Sequence, residues 1–129
     1  MPKRGESGLS LLLGVDKPVG MSSHDAVNRI RTVTGEMRVG HFGTLDPLAS
    51  GVMLVGVGPA VRLGNYLVEH DKEYVADIRF GEERTTDDAE GEVVSAAPVP
   101  KSVVDVGYAS EVLSRFVGPA MQVDRKSVV

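Results

Sequence analysis

The spacing of apolar residues changes several times along the chain, and each change predicts an element. Leu11 to Val15 is a continuous apolar run, short enough for a buried strand. Asp16-Lys17-Pro18-Val19-Gly20 then breaks it, because proline lacks an N–H and glycine tolerates positive φ. Ser22-Ser23-His24-Asp25 pairs a hydroxyl with an acid three residues on, the pattern of a helix start, here with the short Asp. Val27, Ile30 and Val33 follow at near-helical spacing and Gly35 supplies a stop. An amphipathic helix is therefore expected over 23–34, with Arg29 and Arg31 on its wetter side.

Gly40 to Leu48 has no clear period and is expected to be irregular. Gly51 to Val57 is apolar and β-branched, a buried strand. Pro59 suits the first turn of a helix whose inner face would carry Ala60, Leu63 and Leu67. Lys72 to Phe80 alternates, with Tyr74, Ala76, Ile78 and Phe80 on one side and Glu73, Asp77 and Arg79 on the other, Val75 being the exception. That pattern predicts a half-buried antiparallel strand. A charged loop over 82–91, a return strand over 92–96 and a turn at Pro98 and Pro100 follow. Ser102 to Val117 reads as a helix with Val106, Ala109, Leu113 and Phe116 inward, stopped by Gly118-Pro119. The order of elements predicts an α+β fold, a mixed or antiparallel sheet with flanking helices.

Composition narrows the function classes. The 129 residues suit one domain, and 42% hydrophobic with 25% charged content is ordinary for a globular protein. No Cys is present, which excludes disulfides, cysteine-based zinc sites and thiol catalysis, and fits a reducing compartment. The longest largely apolar stretch, Val52 to Val61, is too short to span a membrane and is cut by Gly56, Gly58 and Pro59. Met1 to Val15 has a short apolar part and no small-residue cleavage site, so a cytoplasmic protein is expected. Net charge is −4. Residues 1–41 carry six basic and four acidic side chains, whereas 71–92 carry three basic and nine acidic ones. The acidic stretch reads as a solvated face. The acidic total argues against tight non-specific nucleic-acid binding but leaves the front segment open to RNA.

Candidate chemistry concentrates in His41-Phe42-Gly43-Thr44-Leu45-Asp46-Pro47-Leu48-Ala49-Ser50-Gly51. Glycines allow close approach by a ligand, and Pro47 biases Asp46 toward an extended conformation. A carboxylate held this way can act as nucleophile or general base. Asp-Pro is equally a common turn start, and the spacing alone does not separate the two. Asp87, Asp88 and Glu90 lack the calcium-loop pattern, so no metal is expected there.

Three segments together resemble the TruB family of tRNA pseudouridine synthases. They are Leu12 to Asp25, with Asp16-Lys17-Pro18-Val19-Gly20-Met21-Ser22 at its centre, then Val39 to Val52, with Gly43-Thr44-Leu45-Asp46-Pro47, then Asp71-Lys72-Glu73-Tyr74. Thr86-Asp87-Asp88-Ala89-Glu90-Gly91 adds weaker support. The resemblance implies part of a pseudouridine synthase catalytic domain. It implies isomerisation of uridine to pseudouridine in the tRNA T-loop, at position 55, without cofactor or metal and away from membranes. It places the catalytic aspartate at Asp46, a tyrosine that packs on a flipped base at Tyr74, and a histidine near that nucleotide at His41. Lys17-Pro18 and Gly43 would support the active-site loop. Arg38, with Arg29 and Arg31, would meet phosphates. Read from the residues alone, Tyr74 is a core-facing aromatic, His41 a structural imidazole and the arginines solvated.

The match also has departures. Phe42 stands where the family usually has a small residue, and its ring either crowds the nucleotide pocket or points into the core. The expected layout is a flexible end over 1–8, the N-terminal part of the catalytic domain over 9–123, and an atypical tail over 124–129. The arginine that pairs with the catalytic aspartate, further strands and a C-terminal RNA-binding module have no counterpart in the sequence. A truncated, catalytically inactive fragment of such an enzyme, a weak RNA binder or a structural domain, is therefore the alternative expectation, with an exposed sheet edge that invites self-association.

Overall fold

The computed structural model describes residues 5–121, and the chain divides into two compact units after Glu73. The expected tail over 124–129 lies outside the described residues, as do positions 1–4 of the expected flexible end. The fold is α+β, and both of its sheets are antiparallel.

The first unit contains β1 (Leu11–Lys17), α1 (Ser23–Thr34), β2 (Val39–Phe42) and β3 (Gly51–Val57). A 3-10 turn (Gly58–Leu63) and a single-turn helix α2 (Gly64–Leu67) follow. The most apolar strand, β3, takes the centre of the sheet, with β1 and β2 on either side of it. Val15 pairs with Met53, Lys17 with Gly51 and Phe42 with Leu54. The core lies between α1 and this sheet. Ala26 and Val27 from the helix pack with Val39, Met53, Val55 and Val57, and Leu13, Val15, Ile30 and Leu45 close around them. Burying each such valine contributes roughly 1.5–3 kcal/mol.

The helix matches its sequence signals at both ends. Ser22 and Asp25 form a reciprocal capping box, worth about 1 kcal/mol, and Gly35 closes the C-terminus. Its inner stripe runs through the buried Ser23, Ala26 and Val27 to the half-buried Ile30 and Thr34. Val33 sits one position off that stripe and is exposed, against expectation. Gly5 and Ser7, in the stretch expected to be loose, are held by the buried Glu36. The Gly5 N–H donates to both carboxylate oxygens at 2.9 and 3.0 Å, and the Ser7 hydroxyl donates at 2.8 Å.

Three local expectations change in this unit. First, β1 runs on through Asp16 and Lys17, and its Leu11 and Leu12 are exposed. An outer antiparallel strand wets one face, here that of Leu12, Gly14 and Asp16, while Leu11 shares the face of Leu13, Val15 and Lys17 and is exposed at the start of the strand. Second, the stretch from Gly40 to Leu48 is irregular only from Gly43 onward, because Val39–Phe42 is a strand. Gly40 and His41 have weak strand preference, but β3 offers a ladder, and pairing overrides propensity. Third, Pro59 begins a 3-10 turn rather than a longer helix. Ala60 is buried, while Leu63 is exposed.

Phe42 is buried outside the cluster between α1 and the sheet, against Gly56 of β3 and Gly64 of α2. Its ring fills space left by two glycines: a Cβ on Gly56 would lie 2.7 Å from the ring, and one on Gly64 would lie 2.9 Å from it. The bulky residue is thus accommodated by missing side chains opposite.

The second unit holds a hairpin of β4 (Glu82–Arg84) and β5 (Val93–Ala96), a 3-10 turn (Lys101–Val104) and α3 (Val106–Ser114), capped by Asp105. The return strand appears as expected, and the charged loop contributes its own first three residues as the partner strand. Lys72 to Phe80 is not a strand, and all of its residues are exposed, Tyr74, Ile78 and Phe80 included. Alternation marks a strand only where a ladder and a core receive it, and among the described residues none pairs with this segment. Helix α3 is shorter than the 102–117 expected. Val106, Leu113 and Phe116 are exposed rather than inward, and Ala109 is half-buried.

Candidate active site

Lys17, at the end of β1, is fully buried. Its ammonium donates to the carbonyls of Pro18 at 2.9 Å and Met21 at 2.6 Å. A buried lysine is costly unless its hydrogen bonds are made, and these two bonds fold residues 18–21 into a tight turn. From that turn the Gly20 N–H donates to the Pro47 carbonyl at 2.7 Å. Ser23, buried in the first turn of α1, makes a two-way bond with Leu45: its hydroxyl donates to the Leu45 carbonyl at 2.9 Å and accepts from the Leu45 N–H at 3.0 Å.

The residues on both sides of Asp46 are therefore tied to the segment 17–23. Leu45 also packs against the core. The Asp46 carbonyl accepts from the Ala49 N–H at 2.9 Å, closing a turn. Asp46 itself is exposed. Its backbone is held and its side chain is presented to water, which is the arrangement a nucleophilic carboxylate needs before substrate binds.

His41 lies on β2, half-buried, and its Nδ1 is 2.7 Å from the Gly43 carbonyl. A carbonyl only accepts, so Nδ1 carries the proton and Nε2 remains for another partner. Gly43 turns the chain out of β2 with φ +102°, a conformation other residues rarely adopt. Arg38 is fixed at its backbone: its N–H donates to Glu36 Oε1 at 2.9 Å and its carbonyl accepts from Gly58. That N–H, then the Gly5 N–H and the Ser7 hydroxyl, hold the Glu36 carboxyl below the usual carboxylate range, with the Arg38 charge adding a smaller effect.

The structure thus brings Lys17, Pro18, Asp46 and its loop into one hydrogen-bonded group, and sets His41 and Gly43 on the strand that leads into that loop. Tyr74 belongs to the second unit and is 68% exposed. Arg29 is exposed beside Asp16, Lys17 and Pro18. Arg31 serves the fold instead: its guanidinium donates to the Met37 and Val39 carbonyls and to Asn28. Sequence reasoning missed Ser23 and Glu36. Ser23 reads as part of a helix start, and its partner is 22 residues away, so no local signal exposes the bond. Among the described residues no three His, Asp or Glu side chains form a metal-ligand group, and no helix is long and apolar enough to cross a membrane.

Comparison with known proteins decides the family. The family model described as TruB family pseudouridylate synthase (N terminal domain) matches residues 31–126. The chain belongs to the TruB family. It is similar to tRNA pseudouridine synthase B of Paenarthrobacter aurescens (strain TC1), 48% identical over 118 residues, covering 89% of this chain and 36% of that protein. It is similar to the Thermobifida fusca (strain YX) protein of the same name, 57% identical over 84 residues, covering 65% and 29%. The Tropheryma whipplei (strain TW08/27) protein of that name is 44% identical over 110 residues, covering 82% and 29%. The chain spans about a third of the length of these TruB relatives.

Proposed function

We propose that the chain carries uridine-to-pseudouridine chemistry on the tRNA T-loop, with Asp46 as the nucleophile. Residues 9–123 are then the N-terminal part of the catalytic domain. The observation that carries this reading is the exposed Asp46 carboxylate on a loop tied down at both neighbouring residues. The names of the similar proteins support the substrate.

In this reading the carboxylate attacks the target nucleotide and the N-glycosidic bond breaks. The freed uracil turns, and its carbon 5 bonds to the sugar carbon as the bond from Asp46 to the nucleotide breaks, which returns the carboxylate. The proton lost from carbon 5 is balanced by one gained at the ring nitrogen that left the sugar, so no co-reactant is consumed. The base must leave its stack to be reached. Tyr74 provides a stacking face, worth ~1–3 kcal/mol in nucleic-acid sites generally. His41 offers Nε2 to the nucleotide, and Arg38 and Arg29 meet phosphates. Lys17, Pro18 and Gly43 shape the loop. The reading needs no cofactor or metal, and implies a cytoplasmic protein. Release of tritium from tRNA labelled at carbon 5 of uridine tests it. Turnover by the folded chain that disappears in Asp46→Asn supports the reading, and unchanged release by that variant refutes it.

The exposure of Tyr74 and of the whole 72–80 segment favours a second reading. Here the chain alone is catalytically silent and acts only when paired with the remaining length of its relatives. The outer strands β1 and β2 then also invite self-association. Mixing the folded chain with that remaining length restores turnover under this reading, and failure to restore it counts against complementation.

A further inference from the structure

We propose that Ser23 is the positioning residue of Asp46, which rests on the reading of Asp46 as nucleophile. Ser23 is 4% exposed, and its hydroxyl is used twice, as donor to the Leu45 carbonyl and as acceptor from the Leu45 N–H. One side chain thereby takes the place of a neighbouring strand, satisfying both backbone polar groups of the residue before Asp46. The bond joins the first turn of α1 to the loop, so the loop's position is set by a helix whose Ala26 and Val27 are anchored in the core. On the other side the Gly20 N–H holds Pro47. Asp46 is left with a backbone fixed at both neighbours and a side chain that makes no demand on the fold. A hydroxyl is required for this, since alanine neither donates nor accepts, while threonine keeps the oxygen in place.

The test compares Ser23→Ala and Ser23→Thr with the parent chain by amide hydrogen exchange and by tritium release. In Ser23→Ala, exchange at the Leu45 and Ala49 amides rises at least tenfold, exchange in the last turn of α1 stays within twofold, and Ser23→Thr restores the parent pattern. Unchanged exchange at Leu45 and Ala49 overturns the proposal. Where the chain turns over, alone or complemented, kcat falls about tenfold in Ser23→Ala with KM within twofold, and threonine recovers it. A rise in KM at unchanged kcat overturns the positioning role. Should Ser23→Ala lose protection throughout the first unit, Ser23→Cys, of similar shape and weaker hydrogen bonding, carries the same expectations. Unchanged turnover in Asp46→Asn rejects the nucleophile reading instead, and does so whatever the exchange pattern shows.

Discussion

Val55 and Val75 occupy stretches of similar strand-like sequence on the two sides of Glu73. Val55 lies on β3 between two partner strands and is inaccessible to water, while Val75 lies on an unpaired segment and is 94% exposed. The same contrast runs through the units. The first closes a core around Met53, Val55 and Val57, and its buried Lys17, Ser23 and Glu36 all have hydrogen-bond partners. Among the described residues of the second, none is buried, and Phe80, Leu113 and Phe116 are exposed. Alternation supplies one face of a strand, but neighbours decide whether that face is covered. The loop bearing Asp46 belongs to the first unit and is hydrogen-bonded to it through Gly20 and Ser23.

The largest expected effect that sharpens this contrast is at Gly58. It has φ +67°, and a Cβ there would collide with the Leu9 carbonyl oxygen. Gly58→Ala is expected to lower stability by about 3 kcal/mol or more, read by urea unfolding followed by circular dichroism. An effect near zero would mean that the first unit yields as readily as the second.

The valine pair comes next. Val55→Ala should cost about 2 kcal/mol, from lost transfer energy and a cavity. Val75→Ala should stay within about 0.5 kcal/mol, as for an exposed residue. Equal costs in the same unfolding experiment would break the comparison.

Acid gives the smallest and most graded effect. The Glu36 carboxyl is held below its ordinary value of 4.5 by the Arg38 N–H first, then by Gly5 and Ser7. Its folded value is depressed, so its contribution is fully present above 4.5 and is lost as pH falls through the depressed value. Unfolding midpoints should therefore decline below that pH, and Glu36→Gln should flatten the decline. Glu82 in the second unit is also lowered, first by its hydrogen bond from Arg84, but it lies in water where salt screens it. Added salt should leave most of the acid response in place, and its disappearance in salt would assign the response to the surface.

Local signals made much of the first unit legible. The Ser22-Asp25 pair, Gly35 and the β-branched run after Gly51 each act within a few residues, and α1 and β3 appear where those signals put them. β2 was hidden because Gly40 and His41 carry no strand preference, and only β3 makes them one. The strand pattern over 72–80 misled for the converse reason, a good pattern with nothing to pair. At the site, the motif around Asp46 was legible as a glycine- and proline-shaped loop. The bonds that hold it, Ser23 to Leu45 and Gly20 to Pro47, join residues far apart in sequence and leave no periodic trace. Phe42 was ambiguous until its glycine neighbours were known, since Gly56 and Gly64 lie on other elements.

In the proposed reading one carboxylate, displayed by the well-packed unit, attacks uridine. The most direct measurement is tritium release from carbon-5-labelled tRNA by the folded chain and its Asp46→Asn variant, each checked for intact secondary structure. Release by the parent and none above background by the variant is the expected result. Equal release above background by both overturns Asp46 as the nucleophile.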